Sequence, residues 1–209
     1  MYRSLHRFAM LNANLPVILL MFATRSVLQA LGRSSSLCRQ WSDTTVNMFG
    51  NMTYVFVYGT LKAGQPNHHY MVSEAQGKGQ YCGRGVTLER YPLVVAGKYN
   101  IPFLLDEPGS GKLISGEVYA VDSQLLQFLD EFESCPEMYQ RKQVAIHMIE
   151  WNTSDQMLSV LPDANGTLLC NLYCTNTFDR EWLKLPTYSD YDAFGKFGQP
   201  KYVLRADRS

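Results

Sequence analysis

Long hydrophobic runs are missing from this 209-residue chain: the apolar stretch Leu15–Ala23 has nine residues, short of the ~20 that span a bilayer as a helix. Charge is also sparse, at 18% of residues, and no run of Lys or Arg occurs. That argues against nucleic-acid binding, which needs a basic face to neutralise phosphates. The five cysteines, Cys38, Cys82, Cys135, Cys170 and Cys174, are odd in number and scattered. No C-x-x-C occurs and no histidine stands at ligand spacing from a cysteine pair, so no metal site is expected. Cys170 and Cys174 share one face of an expected strand but lie roughly 13 Å apart, too far for a disulfide. Both read as core thiols, and this usage suits a reducing compartment. Gly64 is not followed by Lys-Ser/Thr, so Gly59–Gly64 is no Walker loop. Neither an internal repeat nor a regular alternation of strands and helices is present.

The formal net charge of zero hides a split. Residues 1–51 carry five arginines against Asp43 alone, a net of +4, whereas residues 52–209 carry 14 basic and 18 acidic side chains, a net of −4. The first 51 residues are also rich in serine. Three readings stand open for them: a disordered extension, a mitochondrial transit peptide, or a secretory signal with a poor cleavage site. Residues 52–209 read as one domain. The expected location is the cytoplasm, or the mitochondrion if residues 1–51 act as a transit peptide.

From Thr53 the texture becomes that of a folded domain. Thr53–Tyr58 reads as a buried strand, and Pro66–Val72 as a turn with a short helical segment. Gly77–Gly85 reads as a glycine-broken segment. Val86–Ala96 reads as one strand with Tyr91-Pro92 at an edge or bulge. Further strands are expected at Asn100–Leu105, Leu113–Val121, Tyr139–Ile149 and Leu168–Thr175. A helix capped by Asp122 or Ser123 runs to about Ser134. Phe178–Leu185 suits a short helix, and the tail from Pro186 a segment that wraps the body. Along Tyr139–Ile149, Val144, Ile146 and Met148 point one way and His147 the other, so His147 reads as an outward residue. His68 and His69 read as surface or supporting residues. Many short strands, proline-bearing edges and one well-formed helix indicate a small closed or half-closed sheet packed on a helix.

Two stretches carry candidate chemistry. In the first, Val55–Tyr58 runs into Gly59, Thr60 and Leu61. A strand that stops at glycine exposes consecutive amides, which suit an anion and let a ligand approach the backbone. Tyr58, Gly59, Thr60 and Leu61 are therefore candidate binding residues for a small carboxylate-bearing ligand; a structural turn after a core strand is the alternative. In the second, the expected helix carries Asp130, Glu131 and Glu133. On a wheel of about 100° per residue, Leu125, Phe128, Leu129 and Phe132 form an apolar arc. Asp130 and Glu131 fall outside it and Glu133 inside. Partial burial and outward-pointing helix-end carbonyls both disfavour the Glu133 anion. A glutamate raised toward about 6–7 suits proton transfer at neutral pH. Pairing with Arg141, or a frayed helix end that turns the acid to water, would account for it equally.

Val55-Phe56-Val57-Tyr58-Gly59-Thr60-Leu61-Lys62 resembles the signature of the γ-glutamyl cyclotransferase superfamily, of AIG2-like type. Gly64–His68, Tyr91–Val94, Asn100–Leu105, Pro108–Gly111, Gly116–Tyr119 and Phe132–Pro136 resemble its γ-glutamylamine cyclotransferase branch, over about residues 52–200. The resemblance implies an α+β fold, a small mixed β-barrel with packed helices, and the conversion of γ-glutamylamines into 5-oxoproline and a free amine. Notable among these substrates is the γ-glutamyl-ε-lysine left by proteolysis of transglutaminase cross-links. It places the glutamyl-binding loop on Tyr58, Gly59, Thr60 and Leu61, and the acid/base glutamate on Glu133. No cofactor is implied. Tyr139 and Asn100 are expected as pocket walls. The partner is a small-molecule substrate, with no nucleic acid or membrane, and the chain is expected to act as a monomer. Action on other γ-glutamyl compounds, or a non-enzymatic binding role for the same fold, are the alternatives.

Overall fold

The computed structural model describes residues 52–152 and 161–208. The expected extension 1–51 lies outside the described residues, as does part of the connection Asn152–Asn165. Five strands, β1 (Thr53–Val57), β2 (Gly79–Thr87), β5 (Ser115–Val121), β6 (Gln140–Trp151) and β7 (Thr167–Cys174), close a barrel in the order β1-β5-β2-β6-β7. The closing pair is parallel, with Val55 opposite Asn171, and the other pairings are antiparallel. Closure leaves no unpaired edge to the barrel. A hairpin of β3 (Leu93–Ala96) and β4 (Ile101–Leu104) forms a separate two-stranded sheet.

The alternation in β1 sets the two cores. Tyr54 and Phe56 join Val118, Ile146, Cys170 and other alternate residues of the five strands in the barrel interior. Val55 and Val57 point outward and meet Leu125 and Leu129 of helix α2 (Ser123–Phe132) and Phe103 of the hairpin. A strand buried on both faces needs an unbroken apolar run, which Tyr54–Tyr58 supplies. A short helix α1 (His69–Val72) follows the β1 loop and buries Met71. His147 is exposed as expected, and Val144, Ile146 and Met148 are buried. Cys82, Cys170 and Cys174 are buried free thiols.

Two expectations need correction. Gly77–Gly85 is largely strand β2 rather than a broken segment. Gly83, at φ 142°, sits at a bulge against β5, where a Cβ would lie 1.9 Å from the Glu150 carbonyl oxygen. Glycine bends the strand there instead of ending it. Val86–Ala96 is two strands: β2 stops at Thr87, and β3 begins only at Leu93. Between them the Thr87 hydroxyl donates to the Glu89 carbonyl and accepts from the Ile114 amide, which fixes the turn.

Helix α2 is capped at both ends. The Asp122 carboxylate accepts from the amides of Leu125 at 2.8 Å and Lys78 at 2.9 Å. At the other end Phe132 is the last helical residue and Glu133 the cap, slightly short of the expected Ser134. Ser134 takes the left-handed conformation, φ 51°. Its amide donates to Glu131, and the Cys135 amide donates to Asp130. This is the Schellman arrangement, with serine where glycine is usual. Phe178–Leu185 holds a 3₁₀ turn, Arg180–Lys184. The tail does wrap the body: Ser189 accepts from Ser115, Tyr188 donates to Leu93, and Tyr191 is buried in the barrel cluster. No helix among the described residues is long and apolar enough to cross a membrane.

Because Asp122 satisfies two amides, Asp122→Ala is expected to lower stability by about 1–2 kcal/mol. Asp122→Asn should lose less than half of that. Urea denaturation of the two variants checks it; equal losses would assign the effect to charge rather than capping.

Candidate active site

The chain leaves the barrel at Tyr58, whose hydroxyl donates to the Tyr173 carbonyl at 2.6 Å. Its side chain thereby ties the end of β1 to β7 and forms a wall instead of offering a free hydroxyl. The next residues make a turn closed by the Lys62 amide on the Gly59 carbonyl. Asn67, buried, returns to this turn twice: its amide donates to the Thr60 carbonyl at 3.0 Å and its side-chain amide to Thr60 Oγ1 at 2.9 Å. Among the described residues, no protein acceptor takes the amides of Gly59, Thr60 or Leu61. Three successive donors are thus held in place and left free. Gly59 is needed for packing as well: a Cβ there would press on Pro102 Cγ at 3.1 Å.

Tyr58, Gly59, Thr60 and Leu61 all line one cleft, and Glu133 lines the same cleft. Its volume is about 140 Å³, comparable with a cavity that admits benzene. A small moiety fits inside, and anything longer projects from the mouth. Pro102 and Tyr139 form further wall, and the Tyr139 hydroxyl is spent on the Pro102 carbonyl at 3.0 Å. Asn100, expected as a wall, is not part of it. Asn100 sits at φ 53° in the hairpin turn and its side chain donates to the Lys201 carbonyl. The neighbouring Ile101 and Pro102 take its place.

The reversal at Ser134 directs Glu133 into the cleft. Glu133 is half-buried as a residue and lines the cleft, and no protein group among the described residues hydrogen-bonds its carboxylate. Arg141, the expected partner, binds Asp130 instead at 2.7 Å, and Asp130 also accepts from the Tyr173 hydroxyl at 2.8 Å. Asp130, which the wheel placed outside the apolar arc, is thus a bridge between α2, β6 and β7. Burial pushes the Glu133 carboxyl up to about 7, while the positive charge of Arg205 pulls it down. Burial wins because no donor compensates the anion.

Sequence reasoning missed the tail's share of the site. Tyr202, Arg205 and Arg208 line the cleft beside Asn67, and the Asn67 side chain reaches Tyr202 Oη at 3.4 Å. The Lys62 ammonium pairs with Asp190. The Gln65 side chain donates to Asp192 at 3.1 Å and accepts from the Ala193 amide at 2.7 Å. Lys62, Gln65 and Asn67 therefore clasp the tail to the loop. The only sequence signal for this was an uncommonly polar, turn-rich stretch after Leu61. Among the described residues no group of His, Cys, Asp and Glu is placed to hold a metal ion.

A raised acid makes stability depend on pH. Below about pH 4.5 Glu133 is protonated in folded and unfolded chains alike; between about 4.5 and 7 the folded protein holds the proton more tightly. Stability therefore falls as pH rises through that window and levels off above it. Glu133→Gln removes the effect. Its gain over the wild type should grow from near zero at pH 4.5 to about 2 kcal/mol at pH 8, discounted for contact with water through the cleft. Urea denaturation across this range tests it, and a pH-independent difference would place the carboxylate in open water.

The same architecture occurs in known proteins. A family model described as gamma-glutamyl cyclotransferase, AIG2-like, matches residues 55–193. The gamma-glutamylaminecyclotransferase of Mus musculus is 46% identical over 157 residues, covering 75% of this chain and all of the mouse protein. That of Homo sapiens is 48% identical over the same shares. The crystal structure of a mouse AIG2-like protein superposes with a TM-score of 0.66 at 44% identity, covering 75% of this chain and 99% of that one. With match and fold in agreement, the chain belongs to the AIG2-like gamma-glutamyl cyclotransferase family.

Proposed function

We propose that this protein is a γ-glutamylamine cyclotransferase, converting γ-glutamylamines such as γ-glutamyl-ε-lysine into 5-oxoproline and the free amine. The observation that carries the reading is an unpaired carboxylate, pushed up to about 7, in one small cleft with three free loop amides. The γ-glutamylamine relatives, alike over nearly their whole length, supply the substrate class.

The reaction needs little else. The α-nitrogen of the glutamyl group attacks its own γ-carbonyl carbon. A C–N bond to that nitrogen forms, closing the lactam, and the C–N bond to the leaving amine breaks. Entering as an ammonium, the α-nitrogen sheds two protons to become the lactam N–H, and the departing amide nitrogen gains two to leave as an ammonium. Glu133, poised near neutrality, takes a proton from the first nitrogen and delivers one to the second, one at a time, so no water and no net proton is consumed. Nucleophile and electrophile share one molecule, and the cleft's task is to hold the folded conformer; such closures reach effective molarities of about 10⁵ M or more. The free amides of Gly59, Thr60 and Leu61 suit either the α-carboxylate or the oxygen that becomes negative during attack. The proton transfers and ring closure as written call on no cofactor chemistry.

Glu133→Gln in the full chain should fold and bind but lose at least about 10²-fold in kcat. Mass spectrometry for 5-oxoproline after incubation with γ-glutamyl-ε-lysine provides the readout. Turnover at the wild-type rate by the folded variant removes Glu133 from the mechanism. Wild-type activity on γ-glutamyl amino acids but not on γ-glutamylamines would move the chain to the other branch of the family.

A further inference from the structure

Among the described residues, Arg208 is a cation held in place without an ion-pair partner. Its guanidinium lies 4.7 Å from the ring centre of Tyr99 and 5.1 Å from that of Tyr202. Nε donates to the Val203 carbonyl at 3.2 Å, while Nη2 is buried with no acceptor. Leaving a charged donor buried and unmet is costly, and the two nearby rings attract the guanidinium and favour this placement. Arg205, beside it on the tail, lies over the Phe132 ring at 4.2 Å. Both arginines line the Glu133 cleft, neither forms an ion pair among the described residues, and both fall beyond the residues 55–193 matched by the family model.

We propose that Arg208, assisted by Arg205, binds the carboxylate of the leaving amino acid, so that the site favours γ-glutamyl conjugates of amines that themselves carry an acid. This rests on the cyclotransferase reading. γ-Glutamyl-ε-lysine brings two carboxylates into a cleft that offers two kinds of anion site. The neutral amides of Gly59–Leu61 belong to the loop after β1; the guanidiniums belong to the tail. The glutamyl α-ammonium must approach Glu133 and is repelled by a guanidinium, which disfavours the arginines as the partner of the adjacent α-carboxylate. The lysine carboxylate stands a full side chain away from the reacting nitrogen. Arg208 fits that more distant role: Arg205 packs on Phe132, the residue next to Glu133, whereas Arg208 packs on Tyr99 and Tyr202. A planar guanidinium held near two rings and by the Val203 carbonyl is suited to a two-point carboxylate contact.

The test compares γ-glutamyl-ε-lysine with the same compound carrying a lysine carboxamide, following 5-oxoproline release by the full chain. The wild type should prefer the acid by about tenfold in kcat/KM, carried mainly by KM. Arg208→Met should reduce that preference to less than about threefold, with Arg208→Lys in between. Thermal melts establish that each variant is folded, and the wild-type comparison stands even if one is not. Equal kcat/KM for the two substrates on the wild type overturns the assignment. So does a preference that survives in folded Arg208→Met, or an equal loss on both substrates, which would put the arginine on the glutamyl half. Failure of the wild type to release 5-oxoproline from either compound instead removes the cyclotransferase reading, and this assignment with it.

Discussion

An acid set in a narrow cleft, hydrogen-bonded by no protein group among the described residues, is the constraint around which this domain is arranged. Burying a carboxylate unaided costs several kcal/mol, so something else must force Glu133 inward. The force comes from its neighbours on α2. Leu125 and Leu129 are fully buried against the outer face of β1, each contributing about 1.5–3 kcal/mol. Asp130 locks the last turn to β6 and β7 through Arg141 and the Tyr173 hydroxyl. With the helix fixed in rotation and the chain reversed at Ser134, Glu133 faces the cleft. The Asp130–Arg141 pair has a second effect: it occupies the one cation of β6 that could have neutralised Glu133.

The anion side of the cleft follows the same logic of fixed, unspent groups. Asn67 holds Thr60 by backbone and side chain, and Gly59 lies so near Pro102 that a Cβ would press on its ring at 3.1 Å. A loop pinned on both sides does not collapse onto its own carbonyls, and its amides stay available. The hydroxyls of Tyr58 and Tyr139, by contrast, are consumed on the carbonyls of Tyr173 and Pro102. The aromatic walls give shape, and the chemistry is confined to the backbone donors and one carboxylate.

These two features were legible in the sequence because their signals are local. The period of α2 brought out Glu133, and a β-branched and aromatic run meeting glycine brought out Tyr58–Leu61. What was illegible depends on distant parts of the chain. Gly83 looks like a strand breaker until the β5 register and the Glu150 carbonyl are known. Arg141 looked like a partner for Glu133 because both lie near the helix end, and only the pairing of β6 with β7 carries it to Asp130. The tail was readable as a wrap but not as a wall. Its place depends on Lys62 with Asp190, Gln65 with Asp192 and Asn67 with Tyr202, contacts 127 to 135 residues apart, which no local periodicity encodes.

That long-range clasp also bears on the acid itself. Two opposing influences set the Glu133 proton affinity: burial, supplied by α2 and the hairpin, and the Arg205 charge, supplied by the tail. In the proposed reaction a carboxyl raised by burial alone would be the weaker acid, whereas a directly paired arginine would lower its proton affinity and leave less acid for the departing amine. A guanidinium in the same cleft but outside ion-pair distance moderates the first effect without reaching the second. The tail therefore contributes electrostatics as well as wall. Docking it on the loop through side chains of Lys62, Gln65 and Asn67 places the anion-binding amides, the proton carrier and its moderating cation under one set of contacts.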